Sequence, residues 1–273
     1  MGTADECPYC GARRGSPAGY ARSWWRTLSD PNRPLSYVIM IAIGVMFALT
    51  VVLAGAFFGP EGALEALLRP HRPELLDRVI LPMGLTGSFV FTHGIWWAVF
   101  TSIFSHLGII HLGFNLYVLY ILGPLLERSV SRSTFWSIFV LSGAGGATLT
   151  AMMGNLAAGA SGAIMGVLGA SLALGYLSGR DWNDQVMQTL LRWAILIFVF
   201  GFAVNLMGAG IRIDNWGHFG GFVTGGVLIF VWTQVKNNPT FRDTVSPILG
   251  WALLALVVVA FLRSWSYFFF AAG

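Results

Sequence analysis

Charge is scarce in this chain. Only 10% of its 273 residues are charged, against about a quarter in an ordinary soluble domain. Lysine is scarcer still: Lys236 stands alone, and the formal net charge of +4 rests on arginine. A nucleic-acid-binding domain gathers its basic residues on one face. Here they lie scattered between long apolar runs, so the basicity reads as membrane orientation and implies no nucleic-acid partner. Cysteine is limited to Cys7 and Cys10, which excludes a disulfide framework as the source of stability. A closed zinc site takes four ligands. No further Cys or His lies within sixty residues of the pair. Cys7 and Cys10 are thus half a site at most: a zinc pair shared between two chains, a degenerate remnant of a zinc site, or two surface thiols. A cleavable secretory leader is not expected either. The first apolar run, from about Leu35, is long enough to span and lacks a clear cleavage site.

What the chain has in abundance is apolar surface. It is 56% hydrophobic, with a mean hydropathy of +0.70. Runs long enough to cross a bilayer are expected at about 36–58, 108–126, 134–153, 159–177, 190–209, 216–235 and 247–264. The expectation is an all-α, polytopic membrane protein. Residues 1–34 form a polar N-terminal segment with the Cys-x-x-Cys pair. Residues 35–235 form a six-span core, and 236–273 a linker with a seventh span. A connector over 59–105 separates the first two spans. It carries Trp96, Trp97 and apolar stretches too short to span, and is expected to dip into the membrane interface. With the N-terminus cytoplasmic, eleven Arg and Lys residues fall on that side and five on the other. This favours a cytoplasmic N-terminus and an extracytoplasmic C-terminus in a cell membrane.

Polar groups inside spans are costly, so each one is a functional candidate. One group is His106-x4-His111-x3-Asn115. His111 and Asn115 share a helix face, and His106 lies just ahead of that helix. Buried hydrogen bonds joining the connector to the second span are one reading; metal ligation is disfavoured by the spacing and the lack of a carboxylate. The second group is Gly159-Ala160-Ser161-Gly162, which reads either as a small-residue packing face or as the seat of a nucleophile. It lacks the final Gly of the Gly-x-Ser-x-Gly elbow, where Ala163 stands instead. The third is Gly217-His218-x2-Gly221-x3-Gly225. Its glycines form a stripe at a spacing of four, and Gly162, Gly166 and Ala170 form a matching stripe on the fourth span. Packing one stripe on the other brings Ser161 and His218 to one depth. A serine hydroxyl becomes a useful nucleophile when a base takes its proton, and histidine does so at neutral pH.

With these motifs in this order, the sequence resembles the rhomboid intramembrane serine proteases over about residues 36–235. The resemblance implies a six-helix bundle, here with a seventh C-terminal helix. It implies a Ser-His dyad of Ser161 and His218, with His106 and Asn115 as oxyanion donors and His111, Gly159 and Gly162 in support. Glu127-Arg128 falls where the family keeps an acidic residue before a basic one. Transmembrane proteins would be the substrates, the lipid bilayer would surround the enzyme, and neither metal nor cofactor is implied. The sequence departs from the family at Ala98, where an arginine often follows the tryptophan, and at Met165, where many members place an aromatic. The sequence does not address oligomeric state. The rival readings are a non-proteolytic rhomboid-like binder of membrane clients and a transporter with histidine-lined sites.

Overall fold

A computed structural model describes residues 34–68, 70–208 and 212–271. Cys7 and Cys10 lie outside them. The described chain is helical, and its one extended pairing is an isolated antiparallel bridge between Thr86 and Ala157. The principal helices are α1 (Leu35–Leu68), α2 (Ile109–Glu127), α3 (Arg132–Met152), α4 (Ser161–Leu177), α5 (Gln185–Met207), α6 (Asn215–Val235) and α7 (Ser246–Ala271). Among the described residues, six stretches are long and apolar enough to cross a membrane. The exception is α4, with 17 residues. At 1.5 Å per residue it measures about 26 Å, a little under the hydrocarbon thickness of about 30 Å. The expected all-α multi-pass bundle is therefore what the chain forms.

Local chemistry explains where the helices end. Helix α1 bends at Gly59, whose φ is 70° and ψ −170°. That conformation suits glycine and stops the regular ladder, and Pro60 restarts it. The first span thus ends near residue 58, and 60–68 turns into the connector. Ser131 caps α3 by accepting from the Thr134 amide at 3.2 Å. Asp184 caps α5, accepting from Val186 and Met187 at 2.9 and 3.2 Å. This cap starts α5 five residues before the apolar run near 190, because a capped end carries polar residues readily. Glu127, at the end of α2, accepts from the amides of Leu35 and Ser36. Its carboxylate closes the open start of α1 and ties the two helices together.

Helix α4 is the centre of the bundle. Residues 163–172 are all buried. The apolar side chains among them pack in one cluster with Ile43 of α1, Leu119 of α2, Phe135 and Phe139 of α3, Leu190 of α5 and Ile229 of α6. An α-helix apolar all round is the kind that is buried on every side. Helix α5 is peripheral, with Leu196, Phe200 and Phe202 exposed.

The closest helix pair is α4 and α6. A Cβ on Gly221 would collide with the Gly162 carbonyl oxygen, and one on Gly225 with that of Gly166. Small residues let backbones approach this closely. Gly169 makes a further close approach on α4, against the backbone of Phe222. Ala170 is buried on the same helix. Helix α3 joins through Gly146, where a Cβ would lie 3.4 Å from Gly162 Cα.

Candidate active site

The turn before α4 is held from outside by the connector. Thr86 and Ala157 exchange backbone hydrogen bonds of 2.8 and 3.1 Å. The Gly159 amide donates to the Ser102 carbonyl at 2.8 Å. The Ala160 amide donates to His106 Nε2 at 3.3 Å. Three successive anchors thus fix the turn that delivers Ser161. Gly159 has φ 136°, a region side chains resist. A Cβ there would lie 2.7 Å from His111 Cε1, so the ring fills the space a side chain would need. This backbone also explains why the fourth span, expected from 159, begins as a helix at Ser161.

Ser161 is the first residue of α4 and is half-buried. Among the described residues no side chain caps this helix. The amides of its first turn lie at the positive end of the helix dipole. His218 lies in the first turn of α6, is buried, and its amide donates to the Asp214 carbonyl at 3.0 Å. Its Nδ1 is buried and has no hydrogen-bond partner among the described residues. The two residues stand beside touching glycines: a Cβ on Gly162 would lie 3.4 Å from the Gly217 carbonyl oxygen.

The other candidates cluster around them. His106 is buried, and its ring centroid is 5.1 Å from that of His111. Since Nε2 accepts from Ala160, a neutral His106 carries its proton on Nδ1. His111 Nδ1 accepts from the Leu107 amide at 3.4 Å. Asn115 is buried, and its amide donates back to the His111 carbonyl at 2.9 Å, leaving its second N–H uncommitted. Met165 is buried in the α4 core.

A model of the Rhomboid domain matches residues 93–236, which takes in the end of the connector and α2 to α6. The chain belongs to the rhomboid family. It is 30% identical over 179 residues to RHOMBOID-like protein 4 of Arabidopsis thaliana, covering 60% of this chain and 44% of that protein. To Rhomboid protease GluP of Bacillus subtilis it is 32% identical over 147 residues, covering 54% of this chain and 28% of that one. To Rhomboid-type serine protease 2 of Emericella nidulans it is 34% identical over 135 residues, covering 48% and 25%. The match thus spans less than half the length of each of these relatives. Helices α1 and α7 lie outside the family match.

One residue of this rhomboid escaped the sequence reading. Asp214 caps α6: Oδ1 accepts from the Gly217 amide at 3.0 Å, and Oδ2 is hydrogen-bonded to the Thr150 hydroxyl of α3. It sits four residues before His218 and fixes the start of that helix. Thr150 also donates to the Gly146 carbonyl at 3.0 Å. A hydroxyl has one proton and cannot serve both acceptors at once. A carboxyl carrying its own proton satisfies both, donating to Thr150 while Thr150 donates to Gly146. Burial pushes the Asp214 carboxyl up from its ordinary value, against the opposing hydrogen bonds that its ionised form accepts from the Thr150 hydroxyl and the Gly217 amide. With the folded value raised, its contribution to stability is complete below the unfolded value and is lost as pH rises through the folded one. Asp214→Asn should therefore keep the cap and gain on the wild type as pH rises. Asp214→Ala should lose about 1 kcal/mol. Thermal unfolding in detergent across a pH series measures both. An Asn variant whose stability relative to the wild type is the same at every pH contradicts this reading.

Proposed function

We propose that this rhomboid is an intramembrane serine protease that hydrolyses transmembrane helices of other proteins with a dyad of Ser161 and His218. One observation carries the reading most of the way. A hydroxyl at the first residue of α4 and an imidazole in the first turn of α6 flank the Gly162–Gly217 contact.

In this mechanism Ser161 Oγ attacks the scissile carbonyl carbon while His218 takes the hydroxyl proton. The imidazolium then gives that proton to the leaving amine. Water attacks the resulting ester by the same route, and the serine is restored. The tetrahedral oxyanion needs preorganised donors. We assign this task to the Ser161 amide, at the positive end of α4, and to the uncommitted N–H of Asn115. His106 spends Nε2 on the Ala160 amide, so we give it the role of presenting the turn, with His111 packed against it. The unpartnered Nδ1 of His218 suits a dyad, since a third, anionic member would be expensive in a low-dielectric interior.

The basic residues favour a cell-membrane protein with its N-terminus cytoplasmic, which sets the Ser161 end of the bundle on the extracytoplasmic side. Hydrolysis needs water, and a site at helix ends can be hydrated from that side. A substrate helix hides its carbonyls in its own hydrogen bonds and must unwind to react. Purified protein incubated with a generic transmembrane substrate should therefore cut near the extracytoplasmic end of the span. Each Gly placed there should raise the rate by roughly fivefold, about what one Gly costs a helix. A Leu/Ala run should lower it. Mass spectrometry of the products maps the cuts. Cuts at the cytoplasmic end, or rates indifferent to helix propensity, would defeat this picture, and binding without any cleavage would favour the client-binding alternative.

A further inference from the structure

Helix α7 lies outside the residues that match the family, yet it grips the connector that leads into the site. Arg263 holds its guanidinium carbon 5.3 Å from the centroid of the Trp97 ring. Tyr267, one turn on, packs on the same indole at 5.6 Å between centroids. The Ser264 hydroxyl donates to the Pro82 carbonyl. Phe261 meets Phe104 at 5.9 Å. Ala260, fully buried, completes a small apolar cluster with Val90, Ile95, Trp97, Ala98 and Val99 of the connector and Ala147 and Ala151 of α3. The outer face of α7, with Trp251, Val258 and Leu262, is exposed.

These contacts bracket the connector residues that hold the Ser161 turn. Pro82 is four residues before Thr86, which pairs with Ala157. Trp97 is five residues before Ser102, which accepts from Gly159, and nine before His106, which accepts from Ala160. A single short helical passage, Ala98–Thr101 followed by Ser102–Phe104, joins Trp97 to these anchors. Displacing Trp97 therefore moves the acceptors on which the turn hangs. In the sequence Trp97 is followed by Ala98, which carries no charge.

We propose that Arg263 of α7 is a positioning residue: by capping the Trp97 ring it holds the connector, and through Ser102 and His106 it holds the turn that presents Ser161. The part of this inference that concerns turnover rests on the protease reading; the part that concerns the connector does not. A cation over an indole at a partly exposed site contributes a modest amount, so the effect is graded.

The test uses the full chain in detergent micelles, with Arg263→Ala, Arg263→Lys and Ala260→Phe. Amide hydrogen exchange is followed in 85–104 and 155–160, together with kcat, KM and thermal stability. Arg263→Ala should speed exchange in both segments while α2 and α6 keep their wild-type rates. Its kcat should fall about two- to fivefold with KM unchanged. Arg263→Lys, which keeps a cation over the ring, should recover much of both effects. Ala260→Phe, which wedges α7 off the connector, should speed exchange in the same two segments more strongly. Exchange in 85–104 that is unaltered in both Arg263→Ala and Ala260→Phe overturns the proposal. So does a lower melting temperature with kcat per folded molecule unchanged. A wild-type protein that cleaves nothing would defeat the protease reading, and the exchange data would still decide the connector's dependence on α7.

Discussion

Ser161→Ala and His218→Ala should each reduce cleavage of a transmembrane substrate to background, a loss on the order of 10⁴-fold or more. The double variant should be no slower than either single one, because the proposed nucleophile and base would act as a unit. Neither change should disturb the bundle much. Helix α4 draws no cap from a side chain, so the Ser161 hydroxyl is not what starts it. The His218 imidazole leaves its buried Nδ1 unpartnered, so removing the ring breaks no hydrogen bond at that nitrogen. Ser161→Ala should stay within about 0.5 kcal/mol of wild-type stability, and His218→Ala should cost more from the lost volume. A serine-directed phosphonate probe should label the wild type and not Ser161→Ala. Substantial cleavage by the Ser161→Ala protein would remove this residue from the mechanism, whatever the probe does.

The bundle was legible because apolar runs long enough to span are hard to use in any other way. Its edges were less so. Gly59 and Gly159 decide where α1 bends and where α4 starts, and both act through backbone angles that composition does not reveal. The start of α5 was placed late because Asp184 and the polar residues after it resemble a loop until the cap is seen. For the candidate site, Ser161, His218, His106 and Asn115 stood out as polar residues in apolar surroundings, where each one needs a reason. Asp214 did not stand out, because it lies just outside a span where a carboxylate is ordinary. Its signal was an Asp ahead of a helix with small residues in its first turn, an N-cap pattern. The acceptor role of His106 was not readable at all. It depends on Ala160, fifty-four residues away, and on which ring nitrogen faces that amide. The Arg263–Trp97 contact likewise joins distant parts of the chain, and only packing reveals it.

Gly221→Leu should lose activity and stability together, unlike Ser161→Ala. The reason is steric and local. Even a Cβ at 221 would run into the Gly162 carbonyl oxygen, and the atoms of Gly162 behind it leave no room to slide. This is backbone against backbone, so no flexible side chain can give way, and overpacking of this kind costs about 1–3 kcal/mol or more. Gly221→Ala should already be destabilised, since the gain of about 1 kcal/mol in helix propensity does not offset the collision. Leu should push α6 away from α4 at the level of Ser161 and His218, so that residual folded protein turns over poorly as well. Gly226 supplies the control on the same helix. A Cβ there meets nothing closer than the Gly169 carbonyl oxygen at 3.9 Å, an ordinary contact. Gly226→Ala should be neutral or slightly stabilising and fully active. Thermal unfolding and single-turnover cleavage of the three variants separate the two positions. A Gly221→Leu protein as stable and as active as Gly226→Ala would show that α4 and α6 do not meet through their glycines, and the placement of His218 beside Ser161 would lose its support.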